Sequence, residues 1–233
     1  MLRFAEQALK DYFHVGSILP TGAQLAKALT RPLQGSMKPK RVLEVGPGTG
    51  PVTRAILTTL REGDSFTLVE INEAFAKQLE EKLLAPFRRL HPGVEIRLIN
   101  LPIEKANLIG EFDFIICGIP FNNFPPSLVR SIFRVLLNVL RPEGELCYFE
   151  YVGMRPIRAM YSSKKGRQRV KNLSAINAIL RRRYNGKRIV VLRNVPPAAA
   201  VCLRRQPVHV VNGQVSLEPK PNGRRSMAAS RGR

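Results

Sequence analysis

A chain of 233 residues that is 44% apolar, 24% charged and 7% aromatic has the composition of one globular domain with a real core. Those values exclude a disordered chain, a disulfide scaffold and a collagen. The anomaly is charge: 38 Lys and Arg against 17 Asp and Glu leave +21, so a polyanion or an anionic surface is expected as partner, with nucleic acid and membrane as the two candidates.

In chain order, Leu2 to Val15 predicts an amphipathic helix with Leu2, Ala5, Leu9, Tyr12 and Phe13 on one side. Arg41 to Val45 reads as a strand running into a glycine-rich turn, and Gly50 to Leu60 as a helix with Val52, Ile56, Leu57 and Leu60 facing inward. Phe66 to Glu70 is a second strand, Glu73 to Arg89 a helix, and Val94 to Ile99 a third strand. Phe112 to Cys117 is a fourth strand, Leu128 to Leu140 an apolar helix, and Glu145 to Val152 a fifth strand. After a basic stretch from Met154 to Tyr184, Lys187 to Asn194 and Ala198 to Arg204 read as a last pair of strands around Pro196-Pro197. Asn212-Gly213 predicts a weak hairpin turn, and Pro219 to Arg233 is a Gly/Ser/Pro tail expected to be disordered. Such alternation predicts an α/β fold, a doubly wound, mostly parallel sheet of seven strands with ligands at the carboxyl ends of the strands.

Cys117, Cys147 and Cys202 are far apart in the chain, odd in number and set in apolar surroundings. They read as buried reduced thiols, with neither a disulfide framework nor a metal site. No secretory signal and no apolar run of the ~20 residues that span a bilayer is visible. The expected location is therefore cytoplasmic.

The charge is unevenly placed. Residues 1–41 carry 7 basic and 2 acidic groups (+5), residues 42–150 carry 11 and 14 (−3), and residues 151–233 carry 20 and 1 (+19). From Tyr151 to Leu217 fifteen Lys and Arg accumulate without one Asp or Glu. A near-neutral chemical module is thus flanked by segments suited to anions.

The chemistry is carried by Glu44-Val45-Gly46-Pro47-Gly48-Thr49-Gly50, between the first strand and its helix. Three glycines let the chain turn tightly and let a ligand approach the main chain. Glu44 would repel a pyrophosphate and suits a cationic amino group. Glu70, at the end of the next strand, can accept both hydroxyls of a ribose. This pair of motifs resembles class I methyltransferases that use S-adenosylmethionine. The resemblance covers roughly residues 17–205 and implies that Gly46, Pro47, Gly48, Thr49 and Gly50 line the cofactor, that Glu44 lies near its methionine portion and that Glu70, beside Ile71, holds its ribose. Such enzymes usually carry an acid after the third strand, near the adenine amine. Here that region reads Asn100-Leu101-Pro102-Ile103-Glu104, so Leu101, Pro102 and Ile103 are the expected adenine contacts.

After the fourth strand, base-directed amino methyltransferases carry Asn or Asp, any residue, Pro, then Tyr or Phe. This chain has Gly118-Ile119-Pro120-Phe121, with glycine in place of the polar group, which weakens a reading as an rRNA adenine N6-dimethyltransferase. Gly118, Ile119 and Pro120 are still expected beside the cofactor. Two more segments, Gly16-Ser17-Ile18-Leu19-Pro20-Thr21-Gly22 and Arg193-Asn194-Val195-Pro196-Pro197-Ala198, look like those of bacterial phospholipid N-methyltransferases, which methylate phosphatidylethanolamine and include relatives acting on ornithine lipids. Tyr148-Phe149-Glu150-Tyr151 also fits that branch.

The resemblance implies an entry and membrane-contact segment at 1–40, a methyltransferase domain at 41–206 with a basic insertion at about 154–186, and a basic tail at 207–233. It implies Ser17 and Thr21 as cofactor contacts, Tyr12, Tyr148, Glu150 and Tyr151 as catalytic residues, and His14, Arg193 and Asn194 for the lipid head group. The implied partners are phospholipid and an anionic membrane surface, on the inner face of the cytoplasmic membrane, with no metal and with nucleic acid disfavoured. Each Lys or Arg near an anionic leaflet contributes about 1 kcal/mol, so a few of the fifteen would hold the protein there reversibly.

Overall fold

The structure, a computed structural model, describes residues 21–35, 38–121, 124–152, 164–206, 209–211 and 214–216. The expected helix at Leu2 to Val15, the turn at Asn212-Gly213 and the tail from Pro219 lie outside the described residues. In chain order come α1 (Ala23–Thr30), β1 (Arg41–Val45), α2 (Pro51–Leu57), β2 (Ser65–Val69) and α3 (Glu73–Leu79). Through a π turn (Glu80–Leu84) α3 runs on into α4 (Ala85–Leu90). Then follow β3 (Glu95–Ile99), β4 (Phe112–Cys117), α5 (Pro126–Val139), β5 (Leu140–Tyr151), α6 (Lys164–Arg183), β6 (Lys187–Val191) and β7 (Ala198–Arg204). A separate two-stranded ribbon pairs β8 (His209–Val211) with β9 (Gln214–Ser216).

The seven-stranded sheet has the order β3-β2-β1-β4-β5-β7-β6. Parallel pairing joins β3, β2, β1, β4 and β5, and β7 runs antiparallel between β5 and β6. Successive side chains of a strand point to opposite faces. Leu43 and Val45 therefore join Phe133 and Leu136 in one core layer, while Val42 joins Leu25, Leu29 and Ile56 in the other. Glu44 occupies a position on that second face where an apolar residue would normally sit, fully buried. At the amino end of β1, buried Lys40 and Asp64 form an ion pair. The Asp64 carboxylate also accepts the backbone N–H groups of Lys40 (2.9 Å) and Arg61 (2.8 Å), so the buried charge is fully bonded.

Within the basic stretch at 154–186, α6 from Lys164 onward buries Leu173 and Leu180 in the same layer as α5. Its apolar stripe is thin because the charged residues Lys171, Arg182 and Arg183 occupy its solvent side. Cys147 and Cys202 are not free thiols but a disulfide between directly paired positions of β5 and β7, whereas Cys117 is free and buried, its thiol pushed up to about 12 by burial. No described helix is long and apolar enough to cross a membrane.

Candidate cofactor and methyl-transfer site

The strand order reverses between β1 and β4, and in such sheets the crevice opens outside the carboxyl ends of the strands. A cleft of about 1150 Å³, its open mouth included, lies there. Its lining comes from the segments following β1, β2, β3 and β4 and from the end of β5. Of the residues expected around a cofactor, Thr21, Gly46, Pro47, Gly48, Thr49, Glu70, Ile71, Leu101, Pro102, Ile103, Gly118, Ile119 and Pro120 line it. Glu44 and Gly50 do not, and Ser17 lies outside the described residues.

Glu70 organises the site. Its Oε2 accepts the N–H of Gly48 at 2.9 Å and its Oε1 the N–H of Asn72 at 2.8 Å, so one carboxylate joins the glycine turn to the start of α3. The amide of Asn100 fixes the Glu70 backbone by donating to its carbonyl at 2.7 Å. Burial pushes the Glu70 carboxyl up, against the pull of the Asn72 and Gly48 amides.

The three turn glycines have φ of 69, 57 and 86° at Gly46, Gly48 and Gly50. A Cβ at Gly48 would meet nothing within 4 Å, so the absent side chain leaves ligand space rather than relieving a clash. Gly48→Ala should therefore fold. It should lose about 1–2 kcal/mol for a left-handed alanine and bind S-adenosylmethionine about tenfold more weakly, as judged by thermal melting and titration calorimetry. Gly118 is glycine for the opposite reason. Its N–H donates to the Val45 carbonyl at 2.8 Å, and a Cβ there would lie 2.6 Å from the carbonyl oxygen of Gly46.

Glu44, on β1, reaches its carboxyl to the first turn of α2. Its Oε2 accepts the Thr53 hydroxyl at 2.8 Å, and its Oε1 has no hydrogen-bond partner among the described residues. Burial pushes its carboxyl from 4.5 up to about 8, opposed by the Thr53 bond and assisted by the charge of Glu70. The folded protein thus holds a proton that the unfolded chain releases above pH 4.5, so this group's contribution to stability falls as pH rises from about 4.5 to about 8. Melting temperature should decline across that window by several degrees, and Glu44→Gln should flatten the decline. A wild-type decline left intact in Glu44→Gln would contradict this protonation.

At the end of β5 alternate residues part company. Phe149 and Tyr151 line the cleft. Tyr148 is fully buried among Phe121 and Phe133. Glu150 accepts the Tyr148 hydroxyl at 3.3 Å and pairs with Arg181 of α6 at 2.9 Å. Of the catalytic candidates Tyr148, Glu150 and Tyr151, only Tyr151 lines the cleft, its phenol pushed up by burial. Arg193 and Asn194 are also outside the lining. Arg193 is exposed, and buried Asn194 accepts the Gly22 N–H at 2.9 Å and donates to the Pro196 carbonyl at 2.7 Å. Tyr12 and His14 lie outside the described residues. The cleft also uses Val52, Phe75, Glu104, Phe124, Ile132 and Phe149. Phe75 could have been found from its place just inside the Asn72-capped helix that follows Glu70, but Phe124 and Ile132 arrive by tertiary packing alone.

Residues 42–144 match the family model described as a methyltransferase domain. Over those residues the chain carries a methyltransferase domain. An ornithine lipid N-methyltransferase of Singulisphaera acidiphila is 27% identical over 130 residues, 56% of this chain and 67% of that protein. Among solved structures, the O-methyltransferase of Bacillus cereus in complex with S-adenosylhomocysteine shares the fold with a TM-score of 0.60 at 17% identity, over 87% of this chain and 90% of that one. The O-methyltransferase TomG of Streptomyces achromogenes in complex with S-adenosylmethionine aligns with a TM-score of 0.58 at 15% identity, over 85% and 88%.

The methyl donor of the domain is S-adenosylmethionine, and the cleft fits it. An amphiphilic ligand with a ribose and a cationic amino acid end needs apolar walls, a carboxylate and open main chain. Leu101, Pro102 and Ile103 supply the walls, Glu70 the carboxylate and Gly48 the open backbone. Glu44, fully buried, lies outside that lining.

Proposed function

We propose that this methyltransferase acts on the amine nitrogen of a membrane lipid, with ornithine lipid the first candidate and phosphatidylethanolamine the second. The observation that carries the reading is the 27% identity over 130 residues with an ornithine lipid N-methyltransferase. Phosphatidylethanolamine is kept by the segments Gly16 to Gly22 and Arg193 to Ala198, which resemble phospholipid N-methyltransferases. The acid-free basic run from Tyr151 to Leu217 suits an anionic leaflet.

When bound, S-adenosylmethionine supplies a sulfonium methyl that an amine lone pair can take, forming N–C as S–C breaks and leaving S-adenosylhomocysteine. The chain's task is to present a neutral amine. A free alkylammonium has a pKa of roughly 10, and an apolar wall disfavours its charged form. Phe124, Ile132, Phe149 and Tyr151 make such a wall in the cleft. Glu150 is paired with Arg181 and lies outside the cleft lining; desolvation and alignment carry the step in this reading. A base-directed reaction is disfavoured at Gly118, where the Gly46 carbonyl leaves no room for the polar side chain such enzymes carry.

Incubation with methyl-tritiated S-adenosylmethionine, ornithine lipid vesicles, phosphatidylethanolamine vesicles and unmodified small-subunit rRNA should place label in the lipid extract. Label in rRNA alone would overturn the proposal.

A further inference from the structure

The sheet ends on β6, an edge strand, and the corner from 192 to 197 joins it to β7. Register places that corner beside the cleft, because Ala198 pairs with cleft-lining Tyr151 on one side and with Val191 on the other. Asn194 ties the corner to Gly22, next to cleft-lining Thr21. The corner is thus a fixed rim of the cleft. Yet it carries two large apolar side chains turned to solvent, Leu192 at 73% and Val195 at 72% exposure. Between them stands exposed Arg193, and exposed Lys187 and Arg188 precede them on β6. Among the described residues the other strongly exposed leucine, Leu90, lies before β3 at the opposite edge of the sheet.

We propose that the 192–197 corner is a lipid-surface contact that sets the cleft mouth against an anionic bilayer, with Leu192 and Val195 entering the interface and Arg193 meeting lipid phosphates. Two exposed apolar side chains flanking Arg193, in a stretch of chain without a single carboxylate, are complementary to an anionic interface on both counts. A protein partner would have to supply the matching acidic rim. The inference rests on the lipid-amine reading for its purpose, but it can fail separately.

The test is co-sedimentation of the full chain with vesicles of phosphatidylglycerol and phosphatidylcholine, which contain no primary or secondary amine to methylate. The double variant Leu192→Asp, Val195→Asp should lower the partition coefficient about tenfold or more, and Arg193→Gln about fivefold. Leu90→Asp should leave it unchanged. Titration of S-adenosylhomocysteine should give wild-type affinity for the double variant, showing that the fold stands. Partitioning that is unchanged in both corner variants overturns the contact, as does loss of RNA binding in them with vesicle binding retained. Corner-dependent partitioning by a protein that methylates no lipid amine would keep the contact and sink the substrate assignment.

Discussion

Glu70→Ala should weaken the binding of S-adenosylhomocysteine by about 100-fold or more, because charge-assisted hydrogen bonds of about 1.5–3 kcal/mol each are lost together. One loss is direct: the carboxylate that would accept the ribose hydroxyls is gone. A second is organisational, since Glu70 holds the Gly48 and Asn72 amides and so fixes the glycine turn against α3. Glu70→Gln keeps one acceptor and should fall between wild type and alanine. Titration calorimetry reads both effects, and an affinity within threefold of wild type in Glu70→Ala would remove the ribose assignment. Stability should respond far less than affinity, because burial already penalises this carboxylate in its charged form.

Gly118→Asn should cost about 3 kcal/mol of stability and lower the melting temperature by about 10 °C, with cofactor binding lost in parallel. The reason is backbone against backbone. A Cβ at this position sits 2.6 Å from the Gly46 carbonyl oxygen, and neither partner is the flexible end of a side chain. To make room, the segments after β1 and β4 must separate, and those segments form the floor of the cleft. Gly118→Ala should show the same defect in smaller measure. A stable Gly118→Asn that methylated adenine would show that the glycine is a choice of substrate rather than a packing requirement.

The sequence exposes what is local. The glycine turn, Glu70 at the end of the following strand and the alternation of strands and helices are all set by neighbours within about twenty residues, and the cleft assembles from those segments. What it hides depends on partners distant in the chain. Cys147 and Cys202 are separated by 55 residues, and only the antiparallel placement of β7 beside β5 makes them adjacent. In Tyr148-Phe149-Glu150-Tyr151 the two-residue period is visible, but which face meets the cleft is decided by α6, whose Arg181 draws Glu150 to the other side. That helix is itself obscured, because Leu173 and Leu180 are sparse among its cations. Asn194 looks like a head-group ligand until its amide is seen holding Gly22 and Pro196.

The account turns on the identity of the methyl acceptor. The most direct measurement is tandem mass spectrometry of lipids extracted after incubating the full chain with trideuteromethyl S-adenosylmethionine and vesicles containing ornithine lipid and phosphatidylethanolamine. The account predicts trideuteromethyl groups on head-group nitrogen, absent without enzyme and strongly reduced with Glu70→Ala. Deuterium confined to oxygen, or no incorporation into either lipid while added rRNA acquires it, would contradict that claim.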